Sequence, residues 1–376
     1  MHDSRIEAIT EKVLADRRID DDEALLLFES ADLSTLGALA DHVRWRLHPE
    51  PLVTYIVDRN VNPTNVCVTD CGFCAFYRRP GHEESYVLPR ETIYAKVQEL
   101  VDLGGVLVLM QGGHHPYLKV DWFAELLRDL KQRFPGVHLH AMSPPEIHHL
   151  AKLGKCSVES VLQTLIDAGL DSIPGGGAEI LSDRVRKIIA PKKCTADEWI
   201  DVSRHAHRLG LRTTATMMYG HFETLAERVE HLRRLRDLQD ETGGFTAFAC
   251  WNFQKGGTPL AAAMDRAHEY GPGGEMTTPA EYLRTVAIAR IYLDNIPNIQ
   301  ASYVTQGIEA AQMSLRYGVN DFGGGMMEEN VVSAAGCMKL TSLEEIERNI
   351  AEAGFTPKRR NFFYEILDPQ AEMQTA

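Results

Sequence analysis

The chain has 376 residues, of which 44% are hydrophobic and 24% are charged, a composition typical of globular proteins. Lysine and arginine number 39 against 53 aspartate and glutamate residues, so the formal net charge is −14. A chain this acidic is not expected to bind nucleic acid or an anionic membrane over a broad surface. An acidic ligand would need a local group of cations.

The first 18 residues predict a charged helix without the apolar core of a signal peptide. The longest strongly apolar stretches, such as Val106–Met110, are far too short to span a bilayer. Seven cysteines are an odd number, so at least one lies outside any intrachain disulfide. We therefore expect a cytoplasmic protein, in which cysteines serve as ligands or nucleophiles more often than as disulfides.

Residues 1–47 predict two or three polar helices, and from residue 52 short apolar runs alternate with amphipathic helical segments. The eight predicted strands are Leu52–Val57, Val106–Gln111, Val137–Met142, Leu170–Ile173, Arg212–Met218, Phe245–Phe253, Ile299–Val304 and Gly318–Phe322. Helices between them include Glu91–Leu103, Trp122–Phe134, Thr224–Gln239 and Pro279–Leu293. Eight strand–helix units in succession favour an α/β fold of parallel strands, a (β/α)8 barrel of the TIM type, over a doubly wound sheet.

This pattern predicts three parts along the chain. Residues 1–50 form a helical N-terminal cap, residues 51–340 form the barrel, and residues 341–376 form a C-terminal helix and tail packed on the barrel. Active sites of such barrels lie where the strands end, and polar or glycine-rich segments follow most of the predicted strands. Turn formation alone explains any single segment of this kind. A Gln-Gly-Gly and a triple glycine at the same end together favour an active face.

Three cysteines, Cys67, Cys71 and Cys74, lie within eight residues on the loop after the first predicted strand. Structural zinc sites use four ligands, commonly from two separated pairs, and no second pair exists in the sequence. An electron carrier would supply four cysteines to its cluster. The other four cysteines are isolated along the chain, namely Cys156, Cys194, Cys250 and Cys337. Three thiolates on one loop therefore predict a cubane cluster with one iron free to bind another molecule.

The Cys-x3-Cys-x2-Cys spacing, with Phe73 directly before the last cysteine, resembles the signature of the radical S-adenosylmethionine superfamily. In that superfamily the open iron chelates the methionine moiety, and one electron cleaves the sulfonium to give a 5′-deoxyadenosyl radical. The resemblance implies a [4Fe–4S] cluster and S-adenosylmethionine as cofactors, with Cys67, Cys71 and Cys74 as the metal ligands. It also implies an electron donor such as flavodoxin or ferredoxin.

The same resemblance assigns further residues to S-adenosylmethionine. The Gln-Gly-Gly after the second strand resembles the motif that meets the methionine amino group, where glycines permit close approach. Glu179 is a candidate for the ribose hydroxyls. Arg186 is a candidate for the methionine carboxylate, because guanidinium pairs with carboxylates through two bonds, although a solvated helix residue is an equal alternative. The full predicted set is Phe76, Gln111, Gly112, Gly113, Ser143, Glu179 and Arg186.

From about residue 52 onward the chain is similar to the cyclic dehypoxanthine futalosine synthases of the futalosine route to menaquinone. Segments that carry this similarity include Ser143–Ile147, Asp171–Ile180, Thr213–Met218 and Asn320–Gly324. It implies dehypoxanthine futalosine as a small-molecule substrate. The adenosyl radical would take hydrogen from C4′ of the sugar, the carbon radical would add to the attached benzoate ring, and the ring would then lose one electron and one proton.

Four residues near strand ends are candidates for the catalytic proton acceptor, namely His115, His140, Glu146 and Tyr219. A strand histidine is, without the family, more often a hydrogen-bonded core residue. The benzoate needs a local cation, for which the candidates are Arg78, Arg79 and Arg212. Trp251 either walls the substrate ring or packs under the helices.

Two alternatives stay open. An aminofutalosine synthase would instead add the adenosyl radical to an enolpyruvyl benzoate; the Ser-Ile-Pro before the triple glycine and Thr213–Met218 favour the cyclase. A non-catalytic iron–sulfur carrier would need a fourth cluster ligand, and the sequence offers none nearby.

Overall fold

The computed structural model describes residues 4–267, 277–325, 327–337 and 341–367. The strands of these residues are β1 (Leu52–Ile56), β2 (Asp58–Val61), β3 (Leu107–Met110), β4 (His138–Ala141), β5 (Ser172–Ile173), β6 (Arg212–Tyr219), β7 (Phe245–Asn252), β8 (Asn298–Gln300), β9 (Asp321–Gly324) and β10 (Thr356–Arg359). The helices up to β6 are α1 (Ser4–Leu14), α2 (Asp21–Ser30), α3 (Leu33–Leu47), α4 (Arg90–Asp102), α5 (Val120–Arg133), α6 (Pro144–Gly154), α7 (Val158–Asp167), α8 (Asp183–Ile189) and α9 (Ala196–Arg208). The later helices are α10 (Leu225–Thr242), α11 (Pro259–Ala267), α12 (Pro279–Tyr292), α13 (Tyr303–Gln306), α14 (Ile308–Ser314) and α15 (Leu343–Glu352).

All ten strands are parallel and follow the order β10-β1-β9-β8-β7-β6-β5-β4-β3-β2. Val57 alone separates β1 from β2, and the chain changes partners at this residue. β1 pairs with β9 and β10, whereas β2 pairs with β3. The first segment of strand therefore joins both ends of the sheet, and the strands curl into a barrel. The predicted α/β fold of the TIM type is confirmed.

Five predicted strands match the observed ones to within two residues at each end, and three differ more in extent. The first continues beyond Val57 as β2. The seventh ends at Gln300, because Tyr303–Gln306 turns into a short helix instead of extending the strand. The eighth begins only at Asp321, because Gly318 takes a left-handed turn with φ of +92°. The strand β10 is absent from the sequence-based prediction, since its Thr-Pro-Lys-Arg sequence reads as a turn; proline is tolerated there at the edge of the sheet.

The helix α2 packs against the outer helices α10 and α12 of the barrel, α3 packs against α12, and α1 packs on α2 and α3. Two arginines, one buried and one partly buried, hold α2 and α3 in place by donating to backbone carbonyl groups. Arg44 of α3 donates to the carbonyl oxygens of His48 at 2.9 Å and of Leu52 at 2.7 Å, which ties the helix to the start of β1. Arg284 of α12 donates to the carbonyl oxygen of Ala31 at 2.6 Å. Each bond satisfies a carbonyl group near the end of a helix or at the start of a strand.

The segment after β10 turns into the amino-terminal end of the barrel. The Phe362 ring lies 4.4 Å from the His138 ring and 4.9 Å from the His140 ring, measured between centroids. It also packs with Ile56 and Leu107 in a small apolar cluster inside the barrel. Residues 360–364 thereby close this end of the barrel. Among the helices of the described residues, none combines the length and the apolar character that crossing a bilayer requires.

Candidate functional site

The loop that carries the cysteine triplet follows β2 and is held to the rest of the fold by backbone hydrogen bonds. The Gly72 N–H donates to the Ile189 carbonyl at 2.8 Å, and the Gly72 carbonyl accepts from the Leu260 N–H at 2.8 Å. The Cys67 N–H donates to the Arg78 carbonyl at 2.9 Å. These bonds fix the loop at both ends, so the positions of the three sulfur atoms depend on α8, α11 and the loop itself.

All three cysteines line one cavity of about 250 Å³, which we call the cluster-side cavity. Of the residues predicted for S-adenosylmethionine, six lie around the same cavity as the cysteines: Phe76, Gln111, Gly112, Gly113, Ser143 and Glu179. The barrel topology explains this convergence, since the loops after β2, β3, β4 and β5 meet at the carboxyl end of the sheet.

The residues of the cluster-side cavity fit an iron–sulfur cluster by the chemistry of their donors. Burial raises the pKa of Cys71 to about 12 and also raises that of Cys74, so these two sulfurs are thiols that release protons when metal binds. Within the described residues, no group of three or more His, Cys, Asp or Glu side chains is placed to hold a single metal ion. Three thiols on one loop, with no other cysteine lining the cavity in the described part of the chain, match a cluster that keeps one iron free.

Glu146 lines the cluster-side cavity and holds the glycine motif in place. Its Oε1 accepts from the Gly112 N–H at 2.9 Å, and its Oε2 accepts from the Ser143 N–H at 2.8 Å and from the Ser143 hydroxyl at 2.6 Å. Burial raises the pKa of Glu146, while these hydrogen bonds oppose the rise. The capping box of α6 thus holds the loops after β3 and β4 together.

A buried ion pair lies at the edge of the cluster-side cavity. The Lys193 ammonium is 2.7 Å from Oε1 of Glu179, and the two side chains are 12% and 6% exposed. Burial lowers the pKa of Lys193, but the charges of Glu179 and Cys71 and the hydrogen bond to Glu179 together raise the pKa above its ordinary value. Lys193 also contacts the cysteine loop, because its ammonium lies 5.2 Å from the centre of the Phe73 ring.

Arg186 does not line the cluster-side cavity. Its guanidinium is buried behind the triple-glycine loop and donates to the Ala178 carbonyl at 2.6 Å and to the Cys194 carbonyl at 2.7 Å. Two further bonds reach the Gly177 carbonyl at 3.3 Å. The donors of Arg186 are thus directed at the backbone, and the residue supports the loop that carries Glu179.

A second cavity of about 340 Å³, which we call the barrel cavity, occupies the interior of the barrel. It adjoins the cluster-side cavity, because Gln111, Gly176 and Trp251 line both. Its size lies within the range of sites for small organic ligands. At the amino-terminal end of the barrel, which we call the lower end, this cavity is lined by Arg360, Phe362 and Tyr364. The inward faces of the strands supply most of the remaining wall, including Asp58, Asn60, Leu107, Leu109, His140, Thr214, Thr216 and Gln300.

Comparison with known proteins agrees with this geometry. The family model of the radical SAM superfamily matches residues 61–235, and a model described as the CofH/MqnC C-terminal region matches residues 242–373. The chain is 45% identical over 362 residues to a cyclic dehypoxanthine futalosine synthase of Halalkalibacterium halodurans, covering 96% of this chain and 95% of the relative. It is 41% identical to an aminodeoxyfutalosine synthase of Thermus thermophilus, covering 97% and 96%. The chain belongs to the radical S-adenosylmethionine superfamily.

Among solved structures, methylornithine synthase aligns with a TM-score of 0.69 over 97% of this chain and 99% of its own. At 16% identity this likeness concerns the fold alone. As a radical S-adenosylmethionine enzyme, the protein uses a [4Fe–4S] cluster and S-adenosylmethionine. The expected cofactors and enzyme class are confirmed.

The structure separates the four candidates for the catalytic proton acceptor. His140 lines the barrel cavity, and its Nδ1 lies 2.6 Å from the Ser172 hydroxyl. Burial holds the pKa of His140 well below its usual range, so the imidazole is neutral. His115 lies in a turn outside both cavities, where its Nδ1 accepts from the Tyr117 N–H at 3.1 Å. Tyr219 is fully buried outside both cavities, beneath the Arg228 guanidinium at 4.6 Å.

The three arginines predicted for the benzoate lie away from the barrel cavity. Arg78 pairs with Glu84 at 2.6 Å and Arg79 with Asp70 at 3.1 Å, both on the cysteine loop and the segment after it. Arg212 is the first residue of β6, at the opposite end from the loops, and donates to the Gly243 carbonyl at 2.8 Å. Among the described residues that line the barrel cavity, Arg360 is the one lysine or arginine.

The sequence analysis did not identify Lys193 as a residue of the cluster-side cavity, or Arg360 and Asp58 as residues of the barrel cavity. A signal existed for Asp58, because it alternates with Asn60 and Asn62 and therefore shares one face of an extended strand. No comparable signal existed for Arg360, since the strand before it was not predicted. Lys193 stood among several basic residues and was indistinguishable from a surface side chain.

Proposed function

We propose that this chain converts dehypoxanthine futalosine to cyclic dehypoxanthine futalosine, in the futalosine route to menaquinone. The observation that carries the proposal is the junction of the two cavities at Gln111, Gly176 and Trp251. A substrate in the barrel cavity lies directly beside the cofactors, yet is enclosed by the barrel. The cyclic dehypoxanthine futalosine synthase of Halalkalibacterium halodurans, 45% identical over 96% of this chain, supports the assignment.

When bound, the cluster and S-adenosylmethionine supply one electron and an adenosyl radical that takes hydrogen from C4′ of the substrate sugar. The chain itself orients the substrate and excludes water. Phe362 and Tyr364 close the lower end of the barrel cavity, which keeps other hydrogen donors from the substrate. Trp251 lies between the two cavities, where its ring holds the substrate against the cofactor side. Orientation is the main contribution of the protein, because the competing fate of a loose radical is quenching.

Roles for individual residues follow from their positions. We assign the cluster to Cys67, Cys71 and Cys74. Of the four candidate proton acceptors, we assign the role to His140, because it alone among them lines the barrel cavity and is neutral. Residues proposed to contact S-adenosylmethionine are Phe76, Gln111, Gly112, Gly113, Ser143 and Glu179. Glu146 and Arg186 position these loops.

Two further parts of the proposal concern the setting of the reaction. The cluster needs an electron, and we propose a small reductase partner such as flavodoxin or ferredoxin. We place the protein in the cytoplasm, where a reducing compartment preserves the seven cysteines as thiols.

The test is anaerobic reconstitution of the cluster, followed by reaction with synthetic dehypoxanthine futalosine and S-adenosylmethionine under a strong reductant. We expect free 5′-deoxyadenosine and one cyclised product in matched amounts. Substrate deuterated at C4′ should transfer its label to the 5′-deoxyadenosine. Absence of that label would place hydrogen abstraction elsewhere and contradict the proposed reaction.

The same experiment distinguishes the alternatives. An aminofutalosine synthase, supported by the Thermus thermophilus relative at 41% identity, would retain the adenosyl group in its product when given an enolpyruvyl benzoate. A non-catalytic iron–sulfur carrier would assemble a cluster whose spectrum S-adenosylmethionine leaves unchanged, and S-adenosylmethionine would stay intact.

A further inference from the structure

Two neighbouring inward positions of β2 carry oxygen atoms that lack hydrogen-bond partners. Oδ1 of Asp58 and Oδ1 of Asn60 are both buried and accept no hydrogen bond within the described structure. The two residues are 6% exposed each, and both line the barrel cavity. Because they stand two residues apart on a strand, they face the same side of the sheet. A buried polar atom without a partner is costly, so such atoms in native proteins call for an explanation.

The position of Asp58 is built into the backbone. A Cβ added at Gly324 of β9 would lie 2.3 to 2.5 Å from the three carboxyl atoms of Asp58. Only a glycine therefore leaves room for the carboxylate at this point. The backbone carbonyl of Asp58 also accepts from the Met327 N–H at 3.3 Å. The carboxylate is thus placed between β2 and β9 by the shape of the barrel, with no donor supplied for its Oδ1.

Both unpartnered atoms are acceptors, which restricts the ligand that would satisfy them. Such a ligand brings hydroxyl or amine hydrogens, not carbonyl or carboxylate oxygens. In the substrate named under the proposed function, the sugar carries the hydroxyl groups, whereas the benzoate and the ketone are acceptors. We propose that Asp58 and Asn60 form the subsite that accepts hydrogen bonds from the sugar hydroxyls of the substrate. This inference rests on the proposed function.

The subsite orients the substrate within the barrel. Asp58 and Asn60 hold the sugar against β2, the strand whose next loop carries the cysteines. The benzoate then extends across the cavity toward β4, where His140 lies. A sugar fixed by two acceptors leaves its ring carbons in one orientation relative to the cofactor, which is the condition for abstraction at a single carbon.

Charged neighbours set the state of the Asp58 carboxyl. Burial raises the pKa of Asp58 to about 7, and the Asp321 charge adds to the rise while the Arg360 charge opposes it. Above that pKa the carboxylate accepts from two hydroxyls; below it, the carboxyl has lost one accepting site. Substrate affinity should therefore fall as the pH drops from 8 to about 6. The other titratable groups around the barrel cavity in the described structure are His140, Tyr303, Asp321, Glu329, Arg360 and Tyr364.

The test measures binding without turnover, by calorimetric titration of the cluster-containing protein with dehypoxanthine futalosine in the absence of reductant. Analogues that lack the 2′- or the 3′-hydroxyl are titrated in parallel. We expect the wild-type protein to bind at least one deoxy analogue about 10-fold or more weakly than the parent compound. Asp58→Ala, which removes both carboxylate oxygens, should bind the parent compound and at least one deoxy analogue with similar affinity, and its affinity should not depend on pH between 6 and 8.

Asp41→Ala is the matched control. Asp41 is a partly buried residue on α3, and its Oδ1 also lacks a hydrogen-bond partner. Burial also raises the pKa of Asp41, but the residue does not line the barrel cavity. This variant should retain the wild-type discrimination between the parent compound and the deoxy analogues. Loss of discrimination in Asp41→Ala equal to that in Asp58→Ala would overturn the subsite.

Stability provides a second measurement that keeps the proposal open to refutation. Because Asp58 and Asn60 bury unpaired oxygens, Asp58→Ala and Asn60→Ala should leave the melting temperature of the ligand-free protein unchanged or raised. A large decrease in both variants would assign the residues a structural role and overturn the subsite. An Asp58→Ala variant that still discriminates against both deoxy analogues overturns the subsite alone. Wild-type protein that does not bind dehypoxanthine futalosine overturns the proposed function and this inference together.

Discussion

Arg360 and Asp321 form a buried ion pair with two parallel hydrogen bonds between the segment after β10 and the first residue of β9. Nε of Arg360 is 2.5 Å from Oδ2 of Asp321, and Nη2 is 2.8 Å from Oδ1. The Thr54 hydroxyl also donates to Oδ2 at 2.5 Å. The pair therefore joins three elements, β1, β9 and the lower wall of the barrel cavity, at one carboxylate.

Replacing Arg360 with methionine should leave the Asp321 carboxylate buried and unpaired. Loss of one partner of a buried pair costs about 3–5 kcal/mol, and we expect a decrease of this size in the free energy of unfolding in urea. The double variant Arg360→Met with Asp321→Asn should recover part of the loss, because it removes the unpaired charge. A single variant as stable as the wild type would show that the pair does not hold the segment after β10 in place.

Cys71→Ala should abolish both the cluster and turnover. Cys71 is one of three sulfurs on a single loop, and two thiolates do not retain a cubane cluster with an open iron. Iron and sulfide analysis after reconstitution measures the loss. Cys156→Ala is the control, because Cys156 is exposed and lies outside the cluster-side cavity, and it should keep the full iron content. Activity retained in Cys71→Ala would contradict the three-cysteine ligand set.

Gly113→Ala should disturb the site while the fold survives. A Cβ at this position would lie 2.2 Å from the Val66 carbonyl oxygen, directly before the cysteine loop, so backbone must move. We expect S-adenosylmethionine to bind at least about 10-fold more weakly, which corresponds to about 1.4 kcal/mol. Gly136→Ala serves as the control, because a Cβ there meets nothing within 4 Å. Equal affinities of the two variants would show that the close approach at Gly113 has no effect on the cofactor site.

Neighbouring lysines should differ sharply in their importance. Lys193→Met leaves Glu179 buried without its counter-charge, and we expect a loss of about 3–5 kcal/mol in the free energy of unfolding. Lys192→Met breaks only an exposed pair with Asp70 and should cost about 0–1 kcal/mol. Urea denaturation of both cluster-free variants measures the difference. Adding Glu179→Gln to Lys193→Met should restore part of the stability, and failure to do so would show that charge is not the cause.

Acid should destabilise the fold through its buried histidines. Burial lowers the pKa of His207 to about 4, where its ring lies between the Thr242 hydroxyl at 2.6 Å and the Thr213 hydroxyl at 2.7 Å. In the unfolded chain its pKa returns to about 6.5. Between these two pH values the unfolded state binds a proton that the folded state does not. Stability therefore falls with decreasing pH by about 1.4 kcal/mol per pH unit for each such histidine.

His207→Gln should remove about one proton from this dependence. The free energy of unfolding, measured in urea at pH 7.5 and pH 5.5, should decrease less in this variant than in the wild type. His205→Gln, on the same helix, is the control and should keep the wild-type dependence. An unchanged slope in His207→Gln would mean that the His207 ring accepts its proton without unfolding.

The strand order and the cofactor loop followed from local sequence signals. Eight apolar runs, each followed by a helical pattern, were enough to predict the barrel, because strand and helix periods are encoded over a few residues. Cys67, Cys71 and Cys74 share one loop, so their convergence needed no knowledge of long-range contacts. The six residues predicted for S-adenosylmethionine that line the cluster-side cavity lie on loops that follow strand ends, where barrel topology dictates that they meet.

The directions in which the side chains point could not be predicted from the sequence. Arg186 and Arg212 carry the same guanidinium group in different surroundings. Arg186 donates to backbone carbonyl groups behind a loop, whereas Arg212 lies at the end of β6 opposite to the active-site loops. Such differences depend on contacts between residues distant in sequence. The pairing of β10 with β1 joins residues about 300 positions apart and left no periodic pattern in its four residues, so the position of Arg360 was not predictable.

The closure of the barrel depends on β1, and its partner β10 comes late in the chain, which has a consequence for biosynthesis. The cysteine loop leaves the ribosome about 280 residues before β10 does, yet β10 and the segment after it complete the wall around the substrate. A nascent or truncated chain that ends before residue 356 therefore holds all three thiols on a barrel that is open at its lower end. The substrate cavity is enclosed only when β10 and the segment after it are added. Translation therefore sets the order in which the enzyme acquires its metal ligands and then the wall that protects the radical.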